Sequence, residues 1–354
     1  MINFTKYKYF IFLIIIDLFI RLSFIYNKNI FIDNNHKNPT NSIEIKEFES
    51  LFNTVKKNKT ILIFEPNKHH HECIPGYCKY FIDLGYNVDI LLHICGLDSL
   101  CLFKDTRKIR LFAFNNIKQI TNFSTNFSSI ISKYEYILIQ STDMKKKRLY
   151  INLALLKANN SIFVFHDINH ADISYSNYFE KNRIWTLGNM SKGMQVNPHY
   201  FGDINITNKH EKIRFFLTST THRHYDLLIN AVLRLKKENY NFEIIIIGRN
   251  KEFNSNLIPS YLKDVFIFKH NVSFYELYNN VERSDFIIIP LDPKSKNDNQ
   301  YKCNKVSGSI QLVYGFLRPP IIHREFSYFY NLNDNNKIVL LMYECYFRIL
   351  PSQI

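Results

Sequence analysis

Three small residues stand ahead of an apolar run near the end of the chain, and a lysine precedes them. Lys305 comes two residues before Ser307, Gly308 and Ser309, and the run that follows has the composition of a helix. Small residues let a ligand approach the backbone, and the N–H groups of a helix N-terminus bind anions. The pattern predicts an anion site at these four residues. Plain N-capping of the helix by serine is the alternative.

A histidine and an aspartate end another apolar run, residues 161–167. A histidine close to its ordinary pKa is suited to taking a proton from a hydroxyl group. We therefore expect His166 and Asp167 to be catalytic. Two alternatives remain open, namely that His166 binds a substrate without proton transfer or that it caps a loop.

Two histidine-rich stretches could be read as metal ligands, HHHEC at 69–73 and HDINHAD at 166–172. Neither has the helical HExxH spacing of a zinc site, and adjacent side chains point in different directions. We expect no metal at either stretch.

Strands and helices must alternate to position these groups. Residues 60–66, 75–86 and 87–93 read as strand, helix and strand, which is a β-α-β unit with a parallel sheet. The alternation continues, and a second set begins at 213–219 after a polar connection. The apolar runs are continuous, as in parallel strands covered on both faces. The pattern predicts an α/β protein with two Rossmann-like domains and a cleft between them, residues 59–205 and 206–354.

The N-terminal segment is different in character. Residues 9–26 are nearly all apolar, with Asp17 and Arg21 at i, i+4 spacing, and no cleavage site for a signal peptide is evident. We expect residues 1–28 to form a hydrophobic helix, which is either a membrane anchor or a helix packed against protein. Residues 29–58 are expected to be a linker and a short helix.

Composition limits the partners and the location of the chain. The formal charge of +14 is compatible with a polyanion, an anionic membrane surface or a phosphorylated substrate. No nucleic-acid-binding motif accompanies the basic residues, so no nucleic-acid partner is expected. The six cysteines form no regular framework, which favours reduced thiols and a cytoplasmic main body attached to a membrane by the N-terminal helix.

From residue 60 to about 335 the chain resembles the GT-B fold glycosyltransferases, of the group 1 or glycogen-synthase-like kind. Four stretches carry the resemblance: PGYCKYFIDLGYNVDILLH, TSTTHRHYDLLINAV, DVFIFKHNVSFYELYNNVERSDFIIIPL and VSGSIQLVYGFLRPPII. The resemblance implies a hexosyltransferase-like enzyme that moves a sugar from a nucleotide-sugar donor to a glycan or glycolipid acceptor. It also implies that the reaction needs neither a cofactor nor a metal.

The resemblance gives roles to particular residues. Arg223 is expected to bind the donor diphosphate together with Lys305 and residues 307–309, because arginine can bind two phosphate oxygens at once. Gln311 stands near a position that is acidic in many members of the family, and its amide is expected to bind the donor instead. Glu72 and Gly76 are expected in the loop that faces the acceptor.

Two other functions remain open at this stage. The chain could be a degenerate, membrane-tethered GT-B-like protein, or a GT-B-like sugar-nucleotide epimerase. The sequence also ends without the helix that crosses back to the first domain in GT-B enzymes, so a truncated second domain is expected.

Overall fold

The computed structural model describes most of the chain between residues 45 and 340. The described residues are 45–51, 59–104, 106–115, 130, 132–142, 158–167, 183–188, 193–206, 211–218, 225–248, 258–330, 332 and 338–340.

A parallel sheet of eight strands forms the first half of the described chain, in the order β1-β4-β3-β2-β5-β6-β7-β8. Its strands are β1 (Ile45–Glu47), β2 (Thr60–Glu65), β3 (Asn87–His93), β4 (Ile109–Phe114), β5 (Tyr136–Ile139), β6 (Ser161–Phe165), β7 (Ile184–Thr186) and β8 (Met194–Gln195). All six residues of β2 are buried, which explains why its sequence is a continuous apolar run and does not alternate.

A second parallel sheet, of six strands, forms the other half in the order β11-β10-β9-β12-β13-β14. Its strands are β9 (Ile213–Thr218), β10 (Phe242–Gly248), β11 (Phe266–His270), β12 (Phe286–Ile289), β13 (Pro320–His323) and β14 (Ile338–Leu340). The Pro-Pro pair of the sequence therefore marks the start of a strand, since β13 begins at Pro320.

Five described α-helices accompany the sheets. They are α1 (Ile74–Asp83), α2 (Tyr225–Lys237), α3 (Phe274–Glu282), α4 (Gly308–Gly315) and the single turn α5 (Arg324–Ser327). Helix α3 begins at Ser273, whose hydroxyl accepts the Glu276 N–H at 3.1 Å, a standard N-cap. Helix α4 begins within the stretch that the sequence predicts to be an anion-binding helix start.

Each sheet reverses its strand order once. In the first sheet, successive strands are added on one side of β2 and then on the other side from β5 onward. In the second sheet, they are added on one side of β9 and then on the other side from β12 onward. Ligands of open parallel sheets bind at such reversal points, beyond the carboxyl ends of the strands. The topology thus selects the loops after β2, β5 and β9 as candidates for a site.

Residues 196–206 follow β8 and lead toward the second sheet, and they pack tightly against glycines of α1 and α4. A β-carbon at Gly76 of α1 would lie 2.6 Å from Pro198, and one at Gly315 of α4 would lie 2.1 Å from the Phe201 ring. Phe201 belongs to an apolar core that continues from Ile63 of the first sheet to Ile289 of the second. The two sheets are therefore packed against each other through this segment.

The predicted α/β architecture of two Rossmann-like sheets is confirmed. The segment 29–58 differs from expectation where it is described, because Ile45–Glu47 pair with β4 as an edge strand and Phe48–Leu51 form a single 3-10 turn. The predicted N-terminal helix, residues 1–28, lies outside the described residues. Within the described ranges, no helix combines the length and apolar character needed to cross a bilayer.

Candidate active site at the carboxyl ends of the strands

Polar side chains from three strands of the first sheet meet at its reversal point. Glu65 is the last residue of β2, Ser141 follows β5 by two residues, and His166 directly follows β6. Since β2, β5 and β6 are neighbours in the sheet, their carboxyl ends lie side by side. The fold therefore brings together residues that are 76 and 25 positions apart in sequence.

These three residues form a hydrogen-bonded chain. Ser141 Oγ lies 2.6 Å from Glu65 Oε2 and 3.3 Å from His166 Nε2. The other carboxyl oxygen of Glu65, Oε1, accepts the Asn67 N–H at 2.7 Å. The Ser141 hydroxyl thus links a buried carboxyl group to an imidazole.

The loop after β2 adds a second histidine and a second carboxyl group. The His70 ring lies against the His166 ring with 4.0 Å between centroids and 38° between planes. His70 Nδ1 is 3.4 Å from Glu72 Oε1, and with that nitrogen facing a carboxylate, Nε2 of the neutral ring is left as the proton acceptor. Each histidine of the pair is therefore connected to its own carboxyl group.

Both loops adopt a backbone conformation that non-glycine residues rarely use. His70 has φ 68° and Ser141 has φ 53°. Hydrogen bonds hold them there, since the Gln140 amide donates to the His70 carbonyl and the Asn67 amide donates to the Ser141 carbonyl at 2.9 Å. Left-handed non-glycine residues are concentrated at functional sites, where neighbouring contacts enforce them.

The start of α4 in the second half of the chain faces this cluster. The Val306 N–H donates to the His166 carbonyl at 3.2 Å, and Lys305 pairs through its backbone with Asp167. Gly308 is exposed, and the nearest atom to a β-carbon at this position would be Glu72 Oε1, at 3.8 Å. The helix N-terminus and the carboxylate of Glu72 are thus next to each other.

The reversal point of the second sheet is connected to the same helix. Ser309 Oγ lies 2.5 Å from Thr218 Oγ1, at the end of β9, and the Ser307 N–H donates to the Tyr330 hydroxyl at 3.1 Å. Both serines are buried, whereas Gly308 between them is exposed. Close access to the helix start is therefore through Gly308.

The two carboxyl groups have pKa shifts of opposite sign. Burial raises the pKa of Glu65 well above its ordinary value, although hydrogen bonds from Ser141 and Asn67 oppose the rise. Burial also acts to raise the pKa of Glu72, but the hydrogen bond and charge of His70 outweigh it, and that pKa is lowered. Neighbouring acids with opposite shifts are a common sign of separate acid and base roles.

The predicted site residues are only partly brought together. Glu72, His166 and residues 307–309 lie together at the candidate site. Asp167 is buried, and its backbone pairs with that of Lys305. The Lys305 ammonium lies 5.4 Å from the centre of the Tyr301 ring. Arg223 lies outside the described residues.

Two predicted ligand contacts are replaced by packing. Gln311 is 1% exposed and lies beside the His199 imidazole, so its amide is directed into the connection between the sheets and not into the cleft. Gly76 lies in the first turn of α1 and contacts Pro198. A small residue is needed there for helix packing.

Sequence reasoning missed Glu65, Ser141 and His70 as members of the cluster. A charged residue that ends a fully apolar strand was the available signal for Glu65, because a buried carboxyl group needs a partner or a proton. No local signal identifies Ser141, since its role depends on the adjacency of β2 and β5. Among the described residues, no group of three histidine, cysteine or acidic side chains is arranged to hold a metal ion.

Solved structures with the same architecture were found by comparison. An α-glucosyltransferase in complex with UDP and a 13-mer DNA containing a HMU base matches with TM-score 0.50 and 12% identity, over 80% of this chain and 86% of that chain. A glycosyltransferase from Rickettsia africae matches with TM-score 0.45 and 15% identity, over 76% and 80%. A UDP-GlcNAc 2-epimerase from Neisseria meningitidis matches with TM-score 0.41 and 10% identity, over 75% and 82%.

The chain has a GT-B glycosyltransferase-like fold, as its resemblance in sequence implies. No protein-family model matches the chain, and no curated protein matches it. At these identities the comparisons concern the fold, and the activity has to be argued from the site.

Proposed function

We propose that this chain is a glycosyltransferase that moves a sugar from a nucleotide-sugar donor to a hydroxyl group of a glycan or glycolipid. One observation carries the proposal. The exposed start of α4 lies beside a histidine–carboxylate pair, with Glu72 Oε1 3.8 Å from the β-carbon position of Gly308. A leaving-group site and a proton-acceptor site are thus adjacent, as transfer to a hydroxyl requires.

The donor diphosphate is assigned to the start of α4. The first turn of a helix presents unpaired N–H groups and a partial positive charge, which favour phosphate oxygens. Gly308 leaves room for the phosphates, and Arg223 and Lys305 are the cations proposed to complete the site. With this neutralisation, we propose that departure of the diphosphate needs no metal ion.

The acceptor hydroxyl is assigned to the histidine pair. Glu72 has a lowered pKa and is ionised at neutral pH, so it stabilises the positive charge that His70 gains when it takes a proton. The His166 ring lies against the His70 ring and is close enough to contact the same ligand. The cluster can therefore bind a hydroxyl group and remove its proton within one pocket.

Binding of nucleotides is the first test. The purified chain should show a thermal shift with one of UDP, GDP, ADP or CMP and with the corresponding nucleotide sugar, and mass spectrometry should detect a sugar transferred to glycan or glycolipid acceptors. The His70→Gln variant should keep the nucleotide shift and lose transfer, because His70 acts on the acceptor. The neighbouring, exposed His69 provides the matched control, His69→Gln.

Three results would contradict the proposal. The absence of a shift with every nucleotide would remove the donor site. Interconversion of a nucleotide sugar without transfer would favour an epimerase. Nucleotide binding without any chemistry, across a broad acceptor screen, would favour the degenerate protein.

A further inference from the structure

Glu65 is an isolated acid in the interior. Its side chain is 0% exposed, and among the described residues no lysine, arginine or histidine forms an ion pair with it. The groups that face it are the N–H and side-chain amide of Asn67, the Ser141 hydroxyl and, at longer range, the negative charge of Glu72. An ionised carboxylate in such surroundings would be strongly destabilised.

Two arrangements of hydrogen bonds fit the distances between Glu65, Ser141 and His166. If Glu65 is ionised, the Ser141 hydroxyl donates to it, and His166 must then donate its Nε2–H to Ser141. If Glu65 is protonated, it donates to Ser141 Oγ, and the Ser141 hydroxyl donates to His166 Nε2. A hydroxyl group has a single proton, so the state of Glu65 is coupled through Ser141 to the protonation of His166 Nε2.

We propose that Glu65 is protonated at neutral pH and, through the Ser141 hydroxyl, holds the proton of neutral His166 on Nδ1. Burial without a counter-charge favours this arrangement, and the raised pKa of Glu65 agrees with it. Glu65 and Ser141 are then positioning residues that act through His166.

The inference rests on the proposed function and assigns different roles to His166 and His70 at that site. A His166 whose Nε2 accepts from Ser141 contributes an N–H donor at its other nitrogen, so it is a hydrogen-bond donor and not the base that the sequence suggests. The base is then His70, whose Nδ1 faces the ionised Glu72. Two carboxyl groups in opposite protonation states thus give two adjacent histidines different roles.

Nitrogen NMR of the full-length chain labelled with ¹⁵N-histidine tests the arrangement directly. Protonated and unprotonated ring nitrogens have well-separated shifts, and the His166→Asn variant assigns the signal. At neutral pH the wild-type His166 should be unprotonated at Nε2 and protonated at Nδ1. An Nε2–H form in the wild type would overturn the proposal.

Variants of the chain separate the two arrangements further. Glu65→Gln reproduces the protonated acid, with one donor toward Ser141 and one acceptor for Asn67, so the His166 spectrum should be unchanged; a tautomer that switches in this variant means that Glu65 is ionised. Ser141→Ala should abolish the preference for Nδ1–H. The neighbouring hydroxyl of Thr142, which donates to the Ile139 carbonyl, gives the control Thr142→Val, which should leave the spectrum as it is.

Measurement of kcat and KM gives a second test of the proposal. Ser141→Ala should lower kcat by roughly two- to tenfold, the effect of one positioning hydrogen bond, with KM for the donor unchanged. An Nδ1–H His166 in a chain without transfer activity would support the inference and refute the proposed function, whereas an Nε2–H His166 in an active transferase would do the reverse.

Discussion

His70 and His166 lie against each other with 4.0 Å between ring centroids and 38° between ring planes, although they follow different strands and are connected to different carboxyl groups. His70 faces Glu72, which has a lowered pKa, and His166 is connected through a serine to Glu65, which has a raised pKa. The contact between the two rings joins these two environments.

Replacement of Glu72 by glutamine should affect binding and turnover in opposite directions. Glu72 faces the same helix start as the donor phosphates, so removal of its charge should tighten nucleotide binding by about two- to fivefold. Turnover should fall by roughly 10²-fold, because the base loses its stabilising carboxylate. Calorimetry and initial rates measure the two effects. Asp83→Asn, on the exposed face of α1, is the control, and weaker nucleotide binding by Glu72→Gln would contradict the placement of the phosphates.

Two glycines of α4 should respond differently to alanine. A β-carbon at Gly308 meets no atom closer than 3.8 Å, so Gly308→Ala should fold normally and weaken nucleotide binding. A β-carbon at Gly315 would lie 2.1 Å from the Phe201 ring, so Gly315→Ala should lower the free energy of unfolding by roughly 1–3 kcal/mol. Urea unfolding and nucleotide titration of both variants test this contrast. Equal nucleotide affinity in Gly308→Ala and the wild type would remove α4 from the donor site.

The raised pKa of Glu65 should make the free energy of unfolding depend on pH. Its pKa in the folded chain is raised above the ordinary value of 4.5, so the folded state holds this proton more tightly than the unfolded state. The corresponding stability is fully present below pH 4.5 and is lost as pH rises toward the folded pKa. The Glu65→Gln variant should lack this loss, and the difference between the two stability curves measured by urea unfolding should therefore increase with pH. A difference that is flat from pH 4 to 8 would mean that Glu65 is not a buried acid.

His71 should act in the opposite pH direction. Burial lowers its pKa from 6.5 to about 4, so the unfolded chain takes up this proton first as pH falls. The stability contribution is present above pH 6.5 and is lost between 6.5 and about 4, amounting to about 2 kcal/mol between pH 7 and pH 5. His71→Phe should reduce the acid-side loss by this amount in urea unfolding at the two pH values. The exposed His69 offers the control His69→Gln, for which no such reduction is expected.

The fold was accessible from the sequence because its signals are local. The apolar runs that become β2 and β10 are continuous and bounded by polar residues, and the strand that becomes β6 is followed directly by a histidine. Strand Ile45–Glu47 was missed, since a three-residue edge strand depends on its partner β4 and has little pattern of its own.

Only part of the candidate site could be predicted from the sequence. His166 and the start of α4 could be predicted from strand ends and small residues, which are local features. Ser141 joins the site through the adjacency of β2 and β5, which no short stretch of sequence specifies. Gln311 was assigned to the donor by position, but its side chain is directed toward His199, and that direction is determined by the packing of α4 on the connecting segment.

The backbone bond between Val306 and His166 joins the two halves of the cleft within one peptide unit. The first turn of α4 begins two residues later, so a ligand that reorients this turn pulls directly on the peptide that carries His166. In the transferase proposed above, a donor bound at the start of α4 would thus be linked to His166 through a single hydrogen bond. Binding of the donor before the acceptor is the order that this connection favours.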